Sequence, residues 1–298
     1  MRLGVMILPE RPWREGSGMW RTVDALGYDS AWVYDHLWWR GLRDEPWFSP
    51  LPVLAAAAAS TGRIRLGLMV ASPNFRHPVL LAKDAIAIDD ISCGRFVLGI
   101  GSGSPDAGDA AIVDPAPLAR RERAARFREF VELTDRLLRE PVTDHAGRFY
   151  TAHEARMIPG CVQRPRLPLA IAASGPGALA LAARHGDAWV TLGPTDFSRD
   201  HGPEECLAVV AAQADELRRA CDRIGRDFTA LDRVFIATGW AGDPLRSPEA
   251  CLRLAERYAA AGMSHLVLHW PRESGVYAGE PDALHRIAEA ALAGIRQL

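Results

Sequence analysis

The chain has 298 residues, of which 48% are hydrophobic and 24% charged, so it is long enough to bury a large core and too apolar to be disordered. Its formal net charge of −2 argues against a general electrostatic grip on nucleic acid or an acidic membrane surface. Lys83 is the only lysine among 35 basic residues, which removes Schiff-base chemistry from almost every mechanism.

Strand-like and helix-like segments alternate from the first residues onward. Leu3–Leu8 reads as a short apolar strand that stops at Pro9-Glu10, too short to span a membrane and without a signal-peptide cleavage pattern. Met19–Leu26 reads as a helix closed by Gly27, Ser30–Tyr34 as the second strand, and Pro52–Ser60 as an alanine-rich helix. Arg65–Val70 is the third strand, Val79–Ile91 a helix, and Arg95–Ile100 the fourth strand. Leu118–Arg139 is the longest helix, with charges on one face, and Pro141–Arg166 breaks the alternation as an inserted excursion. Leu169–Ala172, Ala188–Leu192, Val234–Thr238 and His265–Leu268 are strands five to eight. Helices Gly177–His185, Glu204–Ile224, Pro248–Ala261 and Asp282–Gln297 follow them in turn.

The strands are apolar runs without strict alternation, as expected when both faces are buried. Strands alternating with long helices imply a parallel sheet, and eight such units closing on themselves give a (β/α)8 TIM barrel. The expectation is therefore an α/β single domain over 1–298, with an insertion at about 141–166 after the fourth βα unit. An open doubly wound sheet is the alternative. Cys93, Cys161, Cys206, Cys221 and Cys251 form no CxxC pair, which fits reduced thiols in a cytoplasmic protein. His77, His145, His153, His185, His201 and His285 are scattered, with no HxxxH or HxH spacing, so no metal site is expected, and no G-x-S-x-G nucleophile elbow is present.

In such a barrel the chemistry sits just beyond the C-terminal ends of the strands. Those positions hold Trp13 after strand one, Asp35, His36, Trp38 and Trp39 after strand two, Trp240 after strand seven and Trp270 after strand eight. Aromatic faces suit a flat ring, and the alternative is that each tryptophan caps the core. Two glycine-rich loops, Gly101-Ser102-Gly103-Ser104 and Ala173-Ser174-Gly175-Pro176-Gly177, follow strands four and five. Glycine lets a backbone approach a ligand, and free N–H groups at a helix start attract anions. Tight βα turns also need glycine. His36 can hold or release a proton near neutral pH, and Asp35 beside it is a candidate to orient it, although adjacent residues on an extended chain point to opposite faces.

These residues resemble the luciferase-like monooxygenase superfamily, and within it the branch that uses the deazaflavin F420. The similarity runs over nearly the whole chain. It is carried by 26–33 leading to Asp35-His36, by Phe75-Arg76-His77-Pro78, by 92–103, by 168–176, by Gly186-Asp187-Ala188-Trp189 and by 262–269. The resemblance implies F420, or alternatively FMN, at the strand ends, with His36 as the active-site histidine. It also implies a bulge with a non-proline cis peptide near Met69-Val70-Ala71, beneath the ring. The implied substrate is an organic small molecule, walled by Trp13, Trp38, Trp39, Trp240 and Trp270. A homodimer is implied by family analogy.

Two departures from the sugar-phosphate dehydrogenases of this branch stand out. Those enzymes clamp phosphate partly with lysines, whereas Lys83 here lies in a helix, which speaks against glucose 6-phosphate. They also place a glutamate just after the strand-four glycines, where this chain has Ser104, with Asp106 two residues on. The proton-transfer partner is then Asp106, Glu10 or absent. Three functions stay open: hydride transfer with F420, oxygenation with reduced FMN supplied by a reductase partner, and flavin binding without turnover.

Overall fold

A computed structural model describes residues 1–103, 110–113 and 118–298. Eight parallel strands close into a barrel: β1 (Arg2–Met6), β2 (Ser30–Val33), β3 (Arg65–Ala71), β4 (Phe96–Ile100), then β7 (Leu169–Ala172), β8 (Ala188–Thr191), β9 (Asp232–Ile236) and β10 (His265–His269). They pair in the order β1-β10-β9-β8-β7-β4-β3-β2, with β1 closing on β2. Between β4 and β7, the strands β5 (Val142–Ala146) and β6 (Thr151–Arg156) form a separate antiparallel pair. The helices are α1 (Trp13–Ala25), α2 (Pro50–Ser60), α3 (Pro78–Ile91), α4 (Ala110–Val113), α5 (Arg120–Arg139), α6 (Pro176–His185), α7 (Pro203–Asp222), α8 (Pro248–Ala260), α9 (Ala283–Ala290) and α10 (Leu292–Arg296). Among the described residues no helix is long and apolar enough to cross a membrane.

Each barrel strand buries both faces, and the alternation of side chains sorts them into two cores. Leu3, Val5, Ala31, Val33, Leu66 and Leu68 point outward and pack under the helices. Met6, Trp32, Met69, Val97, Val190 and Val267 point inward and fill the barrel. Trp32 occupies the middle of that interior. A Cβ on Gly67 would run into its indole ring, so the tryptophan there requires the glycine on the neighbouring strand.

Most element boundaries fall within two residues of expectation, and two depart. The first helix starts at Trp13, six residues early, because Pro12 already stands as its N-cap. The last helix is two pieces that meet at Ala291. Strand β3 runs through Ala71, carries a cis Met69-Val70 peptide, and shifts its register against β4 between Leu68 and Ala71. That irregularity turns Val70 toward the barrel mouth.

Candidate functional site

A cavity of about 1300 Å³ opens at the C-terminal ends of the strands. It exceeds the usual ~300–1000 Å³ of a small-molecule site. One wall comes from the segment after β2. Side chains alternate there: Tyr34 and His36 face the cavity, and Asp35 between them turns its carboxylate outward to Arg76. The Asp35 side chain is fully buried in that pair. The expected partnership of Asp35 with His36 is therefore replaced by an ion pair that ties the segment after β2 to the segment after β3.

His36 is held by aromatic neighbours. Its ring lies 4.6 Å from that of Trp39, which stacks on Tyr34 at 4.8 Å and on Trp47 at 6.5 Å. Trp47 Nε1 donates to the His36 carbonyl at 2.8 Å, fixing the backbone that carries the imidazole. The far wall lies across the barrel, since β8 stands four places from β2 in the ring of strands. There the Trp240 ring meets Phe197 at 5.1 Å and His201 at 4.8 Å.

The two glycine loops both reach the cavity, for different local reasons. A Cβ on Gly101 would strike Val70 Cγ2, and Gly103 adopts φ +71° against Ser72 and Asn74. Packing alone accounts for both glycines. Gly175 and Gly177 are different: a Cβ at either would meet nothing within 4 Å, and neither has a positive φ. They flank Pro176 at the start of α6, where no side chain caps the helix. The N–H groups of Gly177 and Ala178 precede the first helical bond, which Leu179 N–H makes to Gly175 O at 2.9 Å. The space over them, with open donors and a positive helix end, is shaped for an anion.

Arg120, Arg123 and Arg128 of α5 line the same cavity. Arg123 Nε and Nη1 are buried and have no hydrogen-bond partner among the described residues. A buried guanidinium without partners is costly unless a ligand satisfies it. Sequence reading missed these arginines because a helix start rich in charge looks like a solvated face. Tyr34 and Tyr277, also in the lining, were missed too. The period-2 alternation that places Tyr34 beside His36 was the available signal.

His36, Trp39, Met69, Val70, Gly101, Ser102, Gly103, Ala173 to Gly177 and Trp240 all lie on the cavity, and Asp35 borders it with its carboxylate turned away to Arg76. Ser104 and Asp106 lie outside the described residues. Ala71, Trp13, Trp38 and Trp270 do not line it. Ala71 and Trp270 each follow an inward residue and so turn outward, into the core under the helices. Trp13 begins α1 and packs there as well. Trp38 turns away from the lining and takes Arg43 over its ring at 5.2 Å. Glu10 pairs with Arg272 at 2.9 Å. Among the described residues no group of three metal-ligating side chains converges.

The profile of the luciferase-like monooxygenase family matches residues 1–296. An F420-dependent glucose-6-phosphate dehydrogenase of Beutenbergia cavernae is 37% identical over 56% of this chain and 49% of its own length. A 4-hydroxyprotoasukamycin monooxygenase of Streptomyces nodosus subsp. asukaensis is 34% identical over 78% of this chain and 61% of its own. The match thus spans roughly half to two thirds of these relatives. The fold superposes on an F420-dependent secondary alcohol dehydrogenase in complex with an F420-acetone adduct, with a TM-score of 0.81 at 15% identity, covering 99% of this chain and 98% of that one.

Proposed function

The chain belongs to the luciferase-like monooxygenase family, and on that premise we propose an F420-dependent oxidoreductase acting on a bulky, rather apolar organic molecule. One observation carries the reading. A single cavity joins His36 to the uncapped start of α6 and to Arg123, whose Nε and Nη1 have no hydrogen-bond partner among the described residues. Such a cavity suits a flat ring with a long tail of several negative groups. FMN, with its one phosphate, would leave more of those donors unused. When bound, F420 supplies the carbon that accepts or gives up hydride.

The residues divide the remaining work. Gly175 and Gly177 leave room for backbone contact, and the Gly177 and Ala178 N–H groups with Arg120, Arg123 and Arg128 would hold the anionic tail. The Met69-Val70 bulge would form the surface under the ring. His36, steadied by Trp39 and Trp47, would hold or move a proton near the reacting atoms. Trp39 and Trp240 would exclude water from the substrate side. Lys83 is exposed on α3 and does not line the cavity, which supports a substrate other than glucose 6-phosphate.

A second reading is an FMN-dependent monooxygenase, favoured by the monooxygenase relative that aligns over 78% of the chain. Titration of the purified protein with F420 and with FMN, followed by tryptophan fluorescence, separates the two. Saturable binding of F420 with weak FMN binding supports hydride transfer. The reverse preference supports oxygenation with a reductase partner, and binding of neither removes both readings.

A further inference from the structure

Tyr34 and His269 stand at the ends of β2 and β10, on either side of β1. The Tyr34 hydroxyl lies 2.8 Å from His269 Nε2, and His269 Nδ1 lies 3.1 Å from the carbonyl oxygen of Ala237. A carbonyl can only accept, so Nδ1 carries the proton and Nε2 presents its lone pair. The Tyr34 O–H therefore donates to Nε2. With its one proton committed, the phenol oxygen has only acceptor capacity to offer anything else.

Three features keep this polarity from reversing. The Tyr277 ring lies flat on His269, with centroids 3.5 Å apart and planes 7° apart. His269 is 3% exposed, and burial lowers its imidazole to about 3, so it stays neutral over the working range. The third feature is its Nδ1 bond to a backbone carbonyl within the strand framework, which does not rotate. A protonated His269 would be a donor at both nitrogens and would turn Tyr34 around, but burial prevents that state. Tyr34 and Tyr277 line the cavity, whereas His269 does not. Tyr34 is thus a lining residue that hydrogen-bonds the imidazole.

We infer that Tyr34 is a specificity-determining residue whose hydroxyl, oriented by His269, accepts a hydrogen bond from the substrate, so that the cavity selects molecules bearing an O–H or N–H at that point. The inference rests on the cavity being the substrate site, as proposed above. A ligand offering only an ether or carbonyl oxygen there would set acceptor against acceptor. Sites built around one hydrogen bond discriminate strongly against analogues that lack the matching group, because a buried polar atom is then left unpaired.

The probes are 2-naphthol and 2-methoxynaphthalene, flat apolar molecules that differ by the donor hydrogen. Their affinities are measured by calorimetry on the native protein and on Tyr34→Phe, with and without saturating F420. The native protein should bind the naphthol at least ~10-fold more tightly, and Tyr34→Phe should bind both equally. The ¹⁵N spectrum of His269 should show the Nδ1–H tautomer and should shift when naphthol binds. A native protein with no preference, including failure to bind either probe, overturns the inference. So does a preference that survives in Tyr34→Phe, or an Nε2–H tautomer. F420 titration of the same two proteins isolates the broader reading. Loss of F420 binding in the native protein counts against the cofactor, whereas the naphthol preference stands or falls independently. Unchanged F420 affinity in Tyr34→Phe shows that the fold and cofactor surface are intact.

Discussion

Asp35 and Arg76 meet in a two-point contact, Nε to Oδ2 at 3.0 Å and Nη2 to Oδ1 at 2.6 Å, with the carboxylate wholly buried. This pairing decides which residues of the segment after β2 reach the cavity. With Asp35 directed outward, Tyr34 and His36 are directed inward. Replacing one partner of a buried pair leaves the other charge uncompensated. Asp35→Asn should therefore lower the unfolding free energy by about 3 kcal/mol, read from the midpoint of a urea titration. Native stability with lost activity alone would mean that Asp35 serves the ligand instead.

The glycines give a paired test. Gly177→Ala adds a methyl into open space at a helical φ, so stability should hold or rise by about 0.5–1 kcal/mol. F420 affinity should fall at least ~10-fold, because the added Cβ occupies the ligand's approach. Gly101→Ala must displace Val70 and should cost about 1–3 kcal/mol of stability. Thermal melts beside F420 titrations separate the two effects. Equal behaviour of the two variants would contradict the assignment of α6 as the anion site.

Arg123→Met removes a half-buried guanidinium whose Nε and Nη1 lack partners among the described residues. The free protein should lose no stability, since burying an unpaired charge is unfavourable. Affinity for F420 should fall by about 10- to 100-fold and become less dependent on salt. A variant that unfolds more easily yet binds F420 normally would place Arg123 in the scaffold.

His36→Ala should fold like the native protein and retain its affinity for cofactor. Turnover should drop by about 10²- to 10⁴-fold, the usual worth of a positioned acid or base. Single-turnover kinetics with reduced and oxidised F420 check this once a substrate is found. Unimpaired turnover would assign the proton transfer to another group.

Away from the cavity, Asp135 joins α5 to Arg166, at 2.5 Å, and to His185 of α6, at 3.5 Å. Burial alone would raise its carboxyl. Hydrogen bonds from His185 and Arg166 overcome this and hold it well below the ordinary carboxylate range. A depressed folded-state value means that this stability is fully present above the unfolded carboxylate value near ~4 and fades as pH falls through the folded value. Asp135→Asn should cost about 3 kcal/mol at neutral pH, with the gap to the native protein closing on acidification below ~4. A gap that stays constant down to pH 2 would remove the linkage.

Much of the architecture was legible in the order of residues. Apolar runs of four to seven residues alternating with long amphipathic helices allow few solutions besides a parallel barrel, and the cis bond at Met69-Val70 followed from the family resemblance. The start of α1 was misplaced because Pro12, a good helix entrance, reads as part of a loop when the apolar period is the only guide. Trp13, Trp38 and Trp270 share one shortcoming. Their positions near strand ends were visible, but not the face toward which each side chain turns.

The sequence by itself determined the barrel, the end at which the cavity opens, and the glycine loops and histidine found there. These follow from short-range periodicity and from the stereochemistry of parallel strands. Only the tertiary structure decided which glycines leave space and which merely avoid a clash, that Asp35 belongs to Arg76, and that His269 sets the polarity of Tyr34. Each of those outcomes depends on groups 29 to 235 positions apart meeting within a few ångströms, and strand pairing, not local sequence, brings them together.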